Sequence, residues 1–559
     1  MFVRKKKNAS GSVSVQVISK ANGKYKVVES IGSSKDNKEI ELLYQKAQKR
    51  LKELEPNLLD YIEYQQFKKL SNKDIRVIGD ELIFGKIFKD IGCDDIVIKN
   101  SSYKEIFKAL VISRLLYPGS KLYLIDYYRI YKKQTISYNK IYRFLDKLYQ
   151  SDLKERVEEC IFNHTLKIMN NSIKLTFYDV TTLYFESESE DDLRRIGFSK
   201  EGKLARPQIL LGLFTTLEGY PLSYEVYKGN KYEGHTLIDI LQKFQNKFKL
   251  KTKPIVVADR GMLSNDNIAY LENNGYKYIL AYRIKNISND LKEQIANLTF
   301  INDGVIHTLP IQKSIEYKNQ NNEKRTLNIK QKLILTYSTK RAKKDKRTRE
   351  KALGKIESKL SKKNITKSDL KLTYYAKYLD IDDKCTIKYK LNKDKVILDE
   401  KLDGIKAFAT NDFTLKAKDI IAHYQNQYKV EEAFKISKTD LRIRPIYHRL
   451  ENRIKAHILI SFVAYAIYKE FERKIKLSNI DIKFKLTFDY IKTMYGYKTL
   501  FGVEPFEMDE IQQQIYDAIH KKWNFGCPMI NSGKRYFTTL AKPEGLYLFK
   551  VLYQPPTNH

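Results

Sequence analysis

The stretch SIKLTFYDVTTLYFES, residues 172–187, decides the fold. Its first half, SIKLTFYDV, is rich in β-branched and aromatic residues and reads as a strand ending at Asp179. A carboxylate at the end of an apolar strand needs a reason, and capping a following helix is the ordinary one. Working outward, PQILLGLFTTLEGYPLSYEVYKG (207–229) reads as a hairpin turning at Glu218-Gly219. HTLIDILQKFQNKFK is a helix, KPIVVAD a buried strand ending at Asp259, NDNIAYLENNG a helix and YKYILAYRI another strand. Two aspartates thus end two strands of one α/β unit, and strand ends are where such folds build their sites.

The order of these elements is that of a ribonuclease-H-like core, although several α/β folds share much of it. The expected fold class is therefore α/β: a mixed five-stranded sheet with flanking helices over 171–284 and 417–474. A β-rich basic insertion over 285–416 interrupts it. There QKLILTYS and CTIKYKL read as strands, and a charged helix carries twelve Lys or Arg against three acids between Lys340 and Lys363. That helix is either a surface for a nucleic-acid backbone or a solvated face. Residues 1–55 read as a hairpin centred on Asn22-Gly23 followed by a helix. Residues 56–170 are mainly helical, and Arg114, Lys121, Arg129, Lys132, Lys133 and Arg143 there suit a DNA-binding region. Ser137 to Gln150 fits a recognition helix or a plain packing helix equally. Residues 475–559 are expected to be helical with an irregular end.

The whole chain supports this division. Its 559 residues exceed one compact core, and 42% apolar content suits folded domains. The net charge of +36, from 103 basic and 67 acidic residues, calls for an anionic partner, although abundant Lys, Asn, Ile and Tyr also match an A+T-rich genome. Cys93, Cys160, Cys385 and Cys527 are scattered, without a Cys-x-x-Cys pair, which argues against structural zinc and fits a reducing cytoplasm. The longest apolar run, near Ala456 to Tyr468, is too short for a bilayer and contains His457, so no membrane role is expected. No phosphate-cradling Gly-x4-Gly-Lys-Ser/Thr occurs, so no nucleotide cofactor is expected.

A second decisive stretch is YQNQYKVEEAFKISK, residues 424–438. On one continuous helix, Tyr424, Gln427, Glu431 and Lys438 fall within roughly 60° of one another, along about 21 Å. Glu432 sits about 100° from Glu431 on another face. A carboxylate can hold a divalent metal, and a lysine and a tyrosine can hold phosphate oxygens. With Asp179 and Asp259, Glu431 would complete an all-oxygen set for two ions about 3.5–4 Å apart. The acidic run at Glu186, Glu188, Glu190, Asp191 and Asp192 reads as a solvated loop, and Asp403 and Asp412 as turn residues.

These three blocks together resemble insertion-sequence transposases of the DDE type, in the group whose third block is Tyr-x2-Arg-x3-Glu-x6-Lys (the IS-four-like superfamily). Tyr424, Glu431 and Lys438 match at the right spacing. VADRGMLSNDN and FYDVTTLYFES resemble the second and first blocks. The likeness runs from the amino-terminal hairpin to about residue 474. It implies Asp179, Asp259 and Glu431 as catalytic residues and ligands of two Mg²⁺ (or Mn²⁺) ions. Tyr424, Gln427 and Lys438 would be DNA-phosphate contacts, and the active species a homodimer on double-stranded DNA, both transposon ends and target. It further implies a bacterial, nucleoid-associated protein that cleaves the ends of its element and joins the 3′-hydroxyls to target DNA. A nuclease without strand transfer and an inactive DNA-binding derivative are the alternatives. Gln427 departs from the pattern: arginine would clamp a phosphate with charge, and glutamine offers neutral hydrogen bonds.

Overall fold

A computed structural model describes residues 1–21, 24–54, 70–96, 98, 100–149, 152–198, 206–250, 252–284, 287–300, 302–319, 322–360, 378–382, 388–499 and 502–521. The expected hairpin forms from Val13–Ala21 and Lys24–Ser34, joined by a third strand, Phe2–Lys7, and covered by the helix Asn37–Leu54. Its centre, Asn22-Gly23, lies outside the described residues, as do Cys385, Cys527 and residues 522–559 of the C-terminal region.

The longer helices between that unit and the main sheet are α1 (Ser101–Leu116), α2 (Tyr138–Leu148) and α3 (Leu153–Ile168). In α2, Ile141, Phe144, Leu145 and Leu148 are buried. That apolar face, with Asp146 bonded to Arg453 at 2.6 Å, packs α2 into the core.

The main sheet has eight strands, not five. They are β1 (Leu175–Tyr184), β2 (Gln208–Thr216), β3 (Pro221–Lys228), β4 (Ile255–Ala258), β5 (Tyr278–Tyr282), β6 (Ile306–Lys318), β7 (Lys324–Tyr337) and β8 (Ile405–Thr410). Across the sheet the order is β6-β7-β8-β5-β4-β1-β2-β3. β1, β2 and β3 pair antiparallel, while β4 and β5 extend β1 in parallel. The turn between β2 and β3 is made at Gly219, whose φ of +84° suits a residue without Cβ. The three additional strands come from the expected insertion: β8 pairs with β5, and the long β6–β7 hairpin follows it.

The two faces alternate as pleating requires. Tyr178, Val180, Val256 and Tyr278 pack toward α4 (Leu237–Phe248) and α5 (Asn265–Asn273). Phe177, Leu183, Leu213, Val257 and Phe408 face α6 (Ala417–Gln425), α7 (Tyr428–Lys435) and α8 (Glu451–Leu477). α8 is buried at every position from Ala456 to Phe471, as its apolar sequence on all sides demands. No described helix is long and apolar enough to cross a membrane.

The charges on α8 are paired. Glu470, 1% exposed, accepts from Arg473 at 2.6 and 2.8 Å and from the Tyr220 hydroxyl at 3.1 Å. Burial pushes its carboxyl up, but bonds from Arg473 and His164 prevail and hold it down at about 2, against an ordinary 4.5. A depressed folded-state pKa stabilises fully above the unfolded value and is lost as pH falls through the folded one. Glu470→Gln is expected to lower unfolding free energy by roughly 3 kcal/mol at pH 7, a gap that closes between about pH 4.5 and 2. Denaturant titrations at pH 7 and pH 2.5 measure it, and a gap independent of pH would refute the linkage.

Candidate functional site

β1 and β4 run parallel with Tyr178 opposite Ala258. The next residues are Asp179 and Asp259, on neighbouring strands about 4.8 Å apart. β1 does not end at Asp179, as its sequence suggested. The β-branched and aromatic residues that follow keep it paired with β2 as far as Tyr184. Asp179 is instead the point where β1 outruns its parallel neighbour. It is half-buried and shares the alternation of Phe177 and Leu183, the face under α7. Its Oδ1 accepts from the Val180 amide at 2.8 Å.

Neither aspartate is a helix cap. Asp259 precedes the short 3₁₀ turn Arg260–Met262 and makes no capping bond there. α5 is capped by Ser264, which accepts from the Asn267 amide. The ordinary explanation for a strand-end aspartate is therefore missing at both positions.

Asp259, Tyr424, Gln427 and Glu431 line one cavity of about 840 Å³. The Tyr424 hydroxyl donates to Asp259 Oδ1 at 3.1 Å, and its ring lies against Phe408, centroids 4.7 Å apart. Burial, and then the Asp259 carboxylate, hold that hydroxyl protonated far above the usual tyrosine value, with Glu431 contributing in the same sense. Glu431 is exposed and, among the described residues, has no hydrogen bond or ion pair. Glu432 is half-buried, and its charge acts instead on Lys429, Tyr465 and Tyr468, toward α8. α7 packs on β1 and β2, which sets Glu431 above the strand that carries Asp179.

The continuous helix expected over 424–438 is interrupted. Gln427 N bonds to Tyr424 O, and Val430 N to Gln427 O, a tight 3₁₀ step that separates α6 from α7. A π-helical turn, Ile436–Asp440, follows α7. The even 100° progression breaks at both places. Gln427 becomes 7% exposed, with an Oε1 that has no partner, and Lys438 is not among the residues lining the cavity. Asp179 is not among them either.

Sequence reading did not single out Arg260 and Arg283, which frame the same cavity. Arg283 donates to the Arg260 carbonyl at 3.2 Å. Their signal is position alone: Arg260 follows Asp259, and Arg283 follows β5. Among the described residues no three His, Cys, Asp or Glu side chains stand close enough to grip one metal ion. The donors nonetheless suit a hard cation, since Glu431 and Asp259 Oδ2 are carboxylate oxygens without partners among the described residues.

Comparison with known proteins completes the description. The family described as "transposase DDE domain" matches residues 171–467. Among solved structures, the cryo-EM structure of a piggyBac transposase synaptic complex with hairpin DNA is similar at a TM-score of 0.34 and 8% identity. The similarity covers 74% of this chain and 76% of that one. No curated protein matches. With more than half of its length matched to that one family, the chain belongs to the DDE-domain transposases.

Proposed function

We propose that the protein binds the terminal inverted repeats of its own insertion sequence, cleaves DNA at the ends, and joins the freed 3′-hydroxyls to target DNA. The observation that carries this reading is the β1–β4 register, which sets Asp179 next to Asp259 on neighbouring strands beneath a helix offering the exposed Glu431. The strand order β3-β2-β1-β4-β5 supports a ribonuclease-H-like core.

In the first step, water attacks the phosphorus at the transposon end. The bond from phosphorus to the 3′-oxygen breaks, and that oxygen leaves as a hydroxyl. In the second, this hydroxyl attacks a target phosphodiester, and one phosphorus–oxygen bond forms as another breaks. Asp179, Asp259 and Glu431 are the residues that would hold divalent ions. Mg²⁺ or Mn²⁺, when bound, supplies activation of the attacking oxygen and stabilisation of the leaving one. Tyr424 orients Asp259 through its hydroxyl. Arg260 and Arg283 offer guanidinium groups to phosphate oxygens, and so take over the clamp that an arginine at position 427 would give. Gln427 offers an amide from the cavity wall, and Lys438 an ammonium beyond α7. A homodimer would hold two ends.

Asp179→Asn, Asp259→Asn and Glu431→Gln are each expected to lower strand cleavage by at least about 10³-fold, with end binding retained. Glu432→Gln should cleave nearly as the parent does. Gel assays on an end-containing duplex with Mg²⁺ read both, and robust cleavage by any of the first three variants would remove that residue from the set.

Position 427 allows a separate test. Gln427→Met keeps the size and removes the amide. Because Oε1 has no partner, stability should hold or rise by about 1 kcal/mol. Cleavage should fall several-fold if the amide meets DNA. Unchanged cleavage would exclude Gln427 as a contact.

A further inference from the structure

A second and larger cavity, about 1100 Å³, lies between the N-terminal helices and the segment that follows α7. Two basic residues on its wall are almost fully buried: Arg114 at 4% and Lys121 at 7% exposure. They differ in what they touch. Arg114 donates to the carbonyls of Leu441 (3.4 Å) and Arg442 (3.0 Å) and contacts His457 at 3.1 Å, so it braces the wall. Lys121 has no hydrogen bond or ion pair among the described residues. Burial, with the Arg114 charge beside it, pushes its ammonium well below the usual lysine value, and no carboxylate offsets this.

The acids of this cavity are already engaged. Asp440 faces Lys485 at 3.5 Å, and Asp489 faces Lys492 at 2.9 Å. His448 adds no charge, because burial and the neighbouring Lys121 and Arg114 lower it to about 3. Arg442 and Arg444 complete a lining with cationic excess. A buried amine without a counter-charge is costly to ionise, and an anion entering the cavity would offset that cost.

The cavity also has a fixed relation to the carboxylates. The chain that leaves Glu431 and Lys438 becomes its wall from Thr439 to His448. Arg444 stacks on the ring of Tyr184, the last residue of β1, at 4.9 Å. One polymer following this face can therefore meet both places, which favours a DNA strand over a free anion.

We propose that this cavity is a second phosphate site, in which Lys121, backed by Arg114, holds one backbone phosphate of DNA that runs on from the carboxylate site. The proposal rests on the DNA-processing reading given above. It adds an anchor contributed by the N-terminal helical region, about 60 residues ahead of Asp179 in sequence.

The test uses the full chain and a fluorescent duplex of arbitrary sequence, since phosphate contacts do not read sequence. Lys121→Gln should weaken binding about tenfold at low salt and flatten the log–log salt slope by about 0.9, the loss of one phosphate contact. Its melting temperature should stay level or rise, because an uncompensated buried charge is gone. Lys121→Arg should restore part of the slope. An unchanged slope in Lys121→Gln overturns the proposal, as does a lower melting temperature with unchanged binding, which would mark a structural lysine. Inorganic phosphate that raises the parent's melting temperature while the DNA slope is unaffected by Lys121→Gln would assign the site to a free anion and also overturn it. Failure of the parent protein to bind duplex at all would sink both this inference and the reading it rests on.

Discussion

The parallel pairing of β1 with β4 is the constraint on which the rest depends. Its register brings two aspartates side by side at the one place where β1 continues and β4 stops. The Val180 amide donates to Asp179 and the Tyr424 hydroxyl to Asp259. Asp259, Tyr424 and Glu431 line a cavity framed by Arg260 and Arg283, where carboxylate oxygens call for positive charge. Divalent ions and a phosphate diester answer that need in different ways, the first through oxygen ligation and the second through the arginines.

α8 makes that register durable. Its buried length packs against α1 and α2 on one side and β3 on another, so the N-terminal helices and the sheet share one core. Charges that would cost too much in such a core are tied off locally: Glu470 by Arg473, and Lys474 by Asp90 at 2.9 Å. α7 rests on this same core through Val430, Ala433 and Phe434. Glu431, on its outer side, is therefore held by packing, and its lack of a bond among the described residues is a property of the helix face it occupies.

Much of this was legible in the chain. Strands β1 to β5 and the helices between them follow from alternation, from buried apolar runs and from the Glu218-Gly219 turn, all local signals. The addition of β8 to the edge of β5 was not legible, because it is a pairing across more than a hundred residues that no local pattern encodes. The stripe of Tyr424, Glu431 and Lys438 was read from ideal helix geometry. Its first two members line one cavity, and the third stands on a π-helical turn, which nothing in the residue types announces. Glu431 is exposed at the cavity and Glu432 is half-buried toward α8, and the 3₁₀ step at Gln427 breaks the ideal progression by which the sequence told them apart.

Net charge locates partners poorly, and the basic residues of the N-terminal helices explain why. Arg114, Lys121 and Lys132 looked alike in sequence, and all three are buried. Lys132 is neutralised by Asp80 at 2.5 Å, and Asp80 also accepts from Tyr127. Arg114 spends its donors on backbone carbonyls, as its fork of N–H groups allows. Lys121 has neither recourse among the described residues. Of three equal formal charges, one is cancelled, one is structural, and one stays open to an outside anion. The distinction lies in which acceptors the fold brings within about 3 Å, a matter of tertiary packing that composition cannot express. A surplus of +36 therefore states only that anions are needed. The residues that meet them are those the fold has left without an acceptor.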